Sequence, residues 1–246
     1  LKRLVHQPSG WDYLAQPCPL VRLEVDGHQI AEYDLVRTDD GADERAREGF
    51  AWFDIRGQEG LRLGLSATPV AAHEVRFKAI VRNLAQKEHA VSLAAPVIGP
   101  YRLGESADNS YYLVPRRGSV LDNRPCSFGE RYCGLFPLQF LDTFCPSGQR
   151  GLVLRTEDTT CLRKHYLLEK HHDGTFSVGI DYPERMLQPG EVLATAPAVI
   201  SATDGDWHRG LSAYRSWVAT WHKPYSPRKQ WFREVFNFRQ RFLWSW

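Results

Sequence analysis

Twice the chain sets an Asp-Gly pair between runs of alternating apolar and polar residues, and no other feature constrains the fold as much. In "LVRLEVDGHQIAEYDL" the runs 20–25 and 28–35 flank Asp26-Gly27, and in "RKHYLLEKHHDGTFSVGIDYP" two more flank Asp173-Gly174. Period-two alternation marks a strand with one buried face, and Asp-Gly supplies the positive φ that a tight hairpin needs. "FAWFDIRGQEGLRLGLSATP" repeats the plan with a longer turn at 57–60. In "AAHEVRFKAIVRNLAQKEHAVSLAAPVIGP", Val75, Phe77, Ala79 and Val81 share a face, a turn covers 83–88 and a strand follows at 90–95. Hairpins at this density predict an all-β fold, an antiparallel sandwich over residues 1–200. No repeat of fixed period interrupts it, and the charged run "RTDDGADERAREG" reads as a solvated loop.

The texture changes after Ser201. Trp207, Leu211, Tyr214, Val218 and Trp221 fall at helical spacing, so one amphipathic helix is expected to bury that face on the sandwich. Asp204 or Asp206 can cap it, and Pro224 lies just past its end. This makes 201–225 a linking helix. Ser226 and Pro227 can open a further short helix, which leads into the apolar run 235–246. Residues 226–246 therefore read as a helix/strand stub that begins a further domain, and its uncovered apolar side offers a surface for a homodimer.

The 246 residues carry a formal net charge of +2, with arginines scattered among acids, so neither nucleic acid nor an anionic membrane is an expected partner. No apolar run reaches the roughly 18–20 residues of a membrane span. The N-terminal "LKRLVHQPSGW" has no apolar h-region and resembles half a strand. Location stays open: periplasmic or secreted if a signal peptide precedes this sequence, otherwise cytoplasmic. Five cysteines without a C-x-x-C read as free thiols, with one sharper alternative, a disulfide between Cys126 and Cys133 across "CSFGERYC".

Catalytic signatures such as G-x-S-x-G, a P-loop or H-E-x-x-H are absent. His165, Glu169 and His172 would share a helix face, but the hairpin at Asp173-Gly174 turns His172 away from the other two. No metal and no cofactor is expected. Glu105, Asp108, Asp142, Glu157, Asp158, Asp181 and Glu184 are read as turn or edge residues. The loop "GPYRLGESADNSYYLVPRRG" is the candidate site. Tyr101, Glu105, Asp108, Asn109, Tyr112, Arg116 and Arg117 combine aromatic faces with planar hydrogen-bonding groups, which suits a pyranose with its apolar face and hydroxyl rim. The same loop also fits a structural role against a neighbouring domain.

"VRFKAIVRNLAQKEHAVSLAAPVIGPY", followed by "YYLVPRRGSVLDN", resembles the galactose mutarotase-like β-supersandwich that forms the N-terminal domain of several bacterial glycoside hydrolases. "PLQFLDTFCPSGQRGLVLRTEDTT" and "GDWHRGLSAYRSWVATWHKP" resemble an uncharacterised bacterial family related to the α-galactosidase clan. The resemblance implies that "EVFNFRQRFLWSW" opens a (β/α)8 barrel. It also implies that the catalytic acids lie on barrel strands after Trp246, so no catalytic residue is carried onto this chain. The expected role is an accessory domain that supports or lines an oligosaccharide site. Two rivals remain: a self-contained mutarotase-type aldose epimerase, which needs a His acid and a Glu base on one sugar ring, and a non-catalytic carbohydrate-binding module.

Overall fold

The computed structural model describes residues 1–6, 10–14, 16–38, 49–134 and 136–223. The charged run and the stretch 226–246, with its expected barrel start and dimer surface, lie outside the described residues or largely so. Among the described residues no helix is long and apolar enough to cross a membrane.

Two short strands, β1 (Val5–His6) and β2 (Trp11–Asp12), form a ribbon of their own. Next come β3 (Arg22–Val25) and β4 (His28–Ile30), joined through Asp26 and Gly27 at φ 51° and 77°. Both values are positive, as a two-residue hairpin of this hand requires. The run 28–35 does not continue as one strand. A 3-10 turn at Glu32–Asp34 carries the chain to the other sheet as β5 (Leu35–Thr38). Then follow β6 (Ala51–Ile55), β7 (Leu61–Ala71), β8 (Glu74–Asn83) and β9 (His89–Tyr101). The remaining strands are β10 (Tyr111–Val114), β11 (Val120–Asp122), β12 (Cys126–Tyr132), β13 (Phe140–Cys145), β14 (Arg150–Thr156), β15 (Lys164–Lys170), β16 (Phe176–Leu187), β17 (Val192–Ala194) and β18 (Ala198–Thr203). One helix, α1 (Trp207–Trp221), ends the described chain.

The larger, ten-stranded sheet runs β11-β10-β13-β14-β18-β8-β7-β6-β5, with β17 also on β8, and the smaller runs β12-β15-β16-β9-β3-β4. All these pairings are antiparallel. Their inner faces enclose the core in two clusters. Tyr101, Phe136, Leu141, Leu154, Tyr166 and Phe176 lead one, and Leu63, Phe77, Val81, Val91 and Leu93 the other. Phe77, Ala79 and Val81 share the buried face as expected, whereas Val75, at the strand's start, is exposed.

A third cluster lies on the outer face of the larger sheet, where α1 packs. Asp206 caps it, accepting from His208 N at 3.0 Å. Tyr214 is buried there on Phe140 and Phe144, with Trp207, Leu211, Trp217 and Val218 partly buried around them. Trp221, expected on this face, is 45 % exposed. Its ring meets Trp217 of its own helix; the contact with the sheet is made by Trp217 instead. The alternative disulfide is also corrected. All five cysteines are free, and Cys126 and Cys133 bracket the single extended strand β12, about 20 Å apart at strand rise, far beyond disulfide reach.

Candidate functional site

The loop from β9 to β10 is built around a buried lysine. Lys170, 2 % exposed at the end of β15, donates Nζ to the carbonyls of Ala107 (2.8 Å) and Ser110 (2.6 Å), and also to that of Asn123. Burial pushes its pKa down, and the charge of Asp108 opposes this. Ser106 Oγ accepts from Asp108 N at 3.3 Å and starts the 3-10 turn Ala107–Asn109. Asn123 Nδ2 donates to the Asp108 carbonyl at 2.8 Å. From the other side comes the β15–β16 turn. Gly174, at φ 82°, lies so close that a Cβ there would stand 2.7 Å from Ala107 Cα. Arg102 reaches Asp173 at 3.4 Å. The loop is thus held by three neighbouring segments. Sequence reasoning missed Lys170, although the alternation of "KHYLLEK" places Lys164, Tyr166, Leu168 and Lys170 on one face. The signal was a lysine in phase with the core.

Glu105, Asp108 and Asn109 are exposed together on this loop. The two tyrosines are a correction. Tyr101 is 0 % exposed and shares a 2.7 Å hydrogen bond with Thr143, while Tyr112 is 4 % exposed. Period-two alternation carries both rings into the core, so neither offers a face to a sugar. Arg116 and Arg117 follow β10, a strand of about 13 Å beyond Asn109. The Arg116 guanidinium lies over Phe128 (5.6 Å) and 3.5 Å from Glu130, and Arg117 is exposed. The proposed cluster is therefore split in two.

Most of the other carboxylates have structural partners. Arg155 is buried and forks onto Glu74 (2.8 and 3.0 Å), and Glu157 accepts from Arg76 at 2.7 Å. Asp158 meets the buried Lys164 Nζ at 2.5 Å. Asp142 lies beneath α1. Glu184 is exposed within β16.

On the outer face of the smaller sheet, register aligns Arg131, His165 and Asp181 in one cross-strand row. His165 Nδ1 is 3.3 Å from Asp181 Oδ2. His165, Glu130 and Arg131 line one shallow pocket of about 420 Å³. His171 stands 3.6 Å from Glu169, and among the described residues no group of His, Cys, Asp and Glu could hold a metal ion.

No family model and no curated protein matches the sequence. Solved structures do. The chain is similar to the α-galactosidase from Lactobacillus brevis at 15 % identity and TM-score 0.50, over 85 % of this chain and 30 % of that one. It is similar to a GH36 α-galactosidase from Geobacillus stearothermophilus, solved with stachyose, at 13 % identity and TM-score 0.50, over 89 % of this chain and 38 % of that one. The raffinose complex of that enzyme gives 15 % identity and TM-score 0.50, over 82 % and 33 %. The chain spans about a third of the length of these enzymes. At such identities the likeness shows the fold alone, a large antiparallel β-sandwich, as the resemblance in the sequence implies.

Proposed function

We propose that this chain is the accessory β-supersandwich of a glycoside hydrolase, which supports or lines an oligosaccharide site and does not hydrolyse alone. One observation carries the reading: the similarity covers 89 % of this chain but only 38 % of an α-galactosidase that was solved with stachyose. The carbohydrate-facing residues on this reading are Glu105, Asp108 and Asn109, pre-ordered by Lys170, with Arg116 and Arg117 at the far end of β10. A loop already held by buried hydrogen bonds loses little freedom on binding, which suits a lining role. The hydrolytic carboxylates would come from a barrel domain following this sequence.

The second reading, the aldose epimerase, would centre on His165 of the outer face. His165 Nδ1 lies 3.3 Å from Asp181 Oδ2, whereas Glu130, paired with Tyr166 in the register, turns its carboxyl to Arg116 on the opposite face of the sheet. An epimerase needs a histidine acid and a carboxylate base facing one sugar ring, and on this face the carboxylate beside His165 is Asp181. One assay separates the two. The purified chain is offered aryl α-galactosides and freshly dissolved α-galactose, beside His165→Ala and Asp181→Asn. The accessory reading expects no turnover of either substrate. Mutarotation lost in both variants would replace it with the epimerase. Hydrolysis lost on changing one carboxylate within 1–246 would overturn both.

A further inference from the structure

The alternation that turns Tyr112 inward turns Tyr111 outward. Its ring stacks on Phe144 on the outer face of the larger sheet, centroids 5.7 Å apart and planes 18° from parallel. Facing them is Trp207, the first residue of α1, half-buried. Leu121 of β11, 54 % exposed, and Pro146 close the sides, and Asp206 stands at the rim. These six residues and Gly205 line about 450 Å³, within the roughly 300–1,000 Å³ of small-molecule sites.

We propose that this cradle binds one pyranose ring of a neutral glycan, as a subsite separate from the 102–110 loop. A pyranose presents an apolar C–H face that packs on aromatic rings and a rim of hydroxyls that donate hydrogen bonds. Tyr111 and Trp207 supply the first requirement, and Asp206 the second. Its Oδ1 accepts from His208 N (3.0 Å) and lies 2.7 Å from His208 Nδ1, while Oδ2 has no hydrogen-bond partner among the described residues. The bonds to His208 hold this carboxyl below the ordinary range, so it remains an acceptor. Other occupants fit less well. An anion would meet the Asp206 charge with no cation among the lining residues, and a purely aliphatic group would desolvate that carboxylate without pairing it. The cradle does not depend on the accessory reading, since an epimerase or a binding module could carry it equally.

The test uses the full chain, titrated with raffinose, maltotriose and cellotriose and followed by saturation-transfer NMR and indole fluorescence. Three variants accompany it. Leu121→Arg fills the cradle from an exposed position, Asp206→Asn keeps the helix cap but weakens the acceptor, and Asp108→Ala alters the loop. We expect saturable binding of at least one sugar at about millimolar Kd. Leu121→Arg should weaken it about tenfold or more with unchanged Tm, and Asp206→Asn about threefold or more. No saturation by any of the three sugars overturns the proposal. So does binding that survives Leu121→Arg. Binding lost in Asp108→Ala and retained in Leu121→Arg also overturns it, and leaves the loop as the sugar site.

Discussion

Beneath α1, Asp142 carries a carboxyl that is almost out of reach of water. Neither oxygen makes a hydrogen bond of ordinary geometry among the described residues. Burial pushes its pKa well above the usual carboxylate value, the charge of Asp206 adds to this, and the Thr143 amide offsets only part. In the unfolded chain the same group ionises near pH 3.9. Above that pH the unfolded state binds fewer protons than the folded one, so stability falls as pH rises, until the folded pKa is passed and the loss is complete. Asp142→Asn should therefore raise Tm at pH 7 and give almost no gain near pH 4; parallel melting curves at both pH values check this. Asp158 shows the opposite case. Burial raises its pKa, but the bonds from Lys164 and Thr160 outweigh burial and leave it low. Asp158→Ala would strand the Lys164 ammonium in the core and should cost about 3–5 kcal/mol in urea unfolding. Little of this was legible in the sequence. An aspartate in "FLDTFC" and a lysine in "KHYLLEK" sit in phase with apolar neighbours, but composition favours a solvated reading for each. Tyr101 and Tyr112 failed for the related reason that loop boundaries hide strand phase: both belong to strands that extend into the loop.

Helix α1 tests element-scale reasoning. Its place, its cap and four of its five face residues follow from 3.6-residue spacing, because a helix alone on a sheet surface must turn its apolar stripe toward it. Trp221 escaped this logic. The stripe runs on for a turn, but the sheet residues packed against α1 contact Trp217 and Val218, and Trp221 meets the rings of Trp217 and His222. Trp221→Ala should shift stability by about 1 kcal/mol or less, whereas Tyr214→Ala should cost about 3 kcal/mol or more. Gly210 offers a sharper test. In an exposed helix, Gly→Ala gains up to about 1 kcal/mol. Here a Cβ would stand 2.6 Å from Asp142 Oδ2 and 2.7 Å from Val153 Cγ2. Gly210→Ala should instead destabilise by about 1–3 kcal/mol through overpacking. A rise in Tm for this variant would mean that the helix rides higher above the sheet.

Across the whole molecule, the local half of the fold was readable and the distant half was not. Hairpins announce themselves, since a turn and its two strands lie within about twenty residues. Nothing local told β8 that its neighbour would be β18. Yet these strands pair from Phe77 with Ala198 to Glu74 with Ser201, and a 2.8 Å hydrogen bond joins Ser201 to Glu74 across 127 residues of sequence. Through this seam the sheet half β5–β8 joins the half β10–β14. A chain ending at residue 197 should therefore keep its hairpins but lose the continuous larger sheet, visible as collapsed amide-exchange protection in β8 and β14 and no cooperative melt. The seam also acts in time. A nascent chain grows at about 5–20 residues per second, so β8, once made, waits on the order of ten seconds for β18 to be synthesised. During that interval the edge of β8 is an open template for any passing strand, most dangerously that of another copy on the same message. Yield in the cell should then depend on how quickly residues 84–203 are translated: slow codons placed there would raise the insoluble fraction, and the same codons placed after 203 would not.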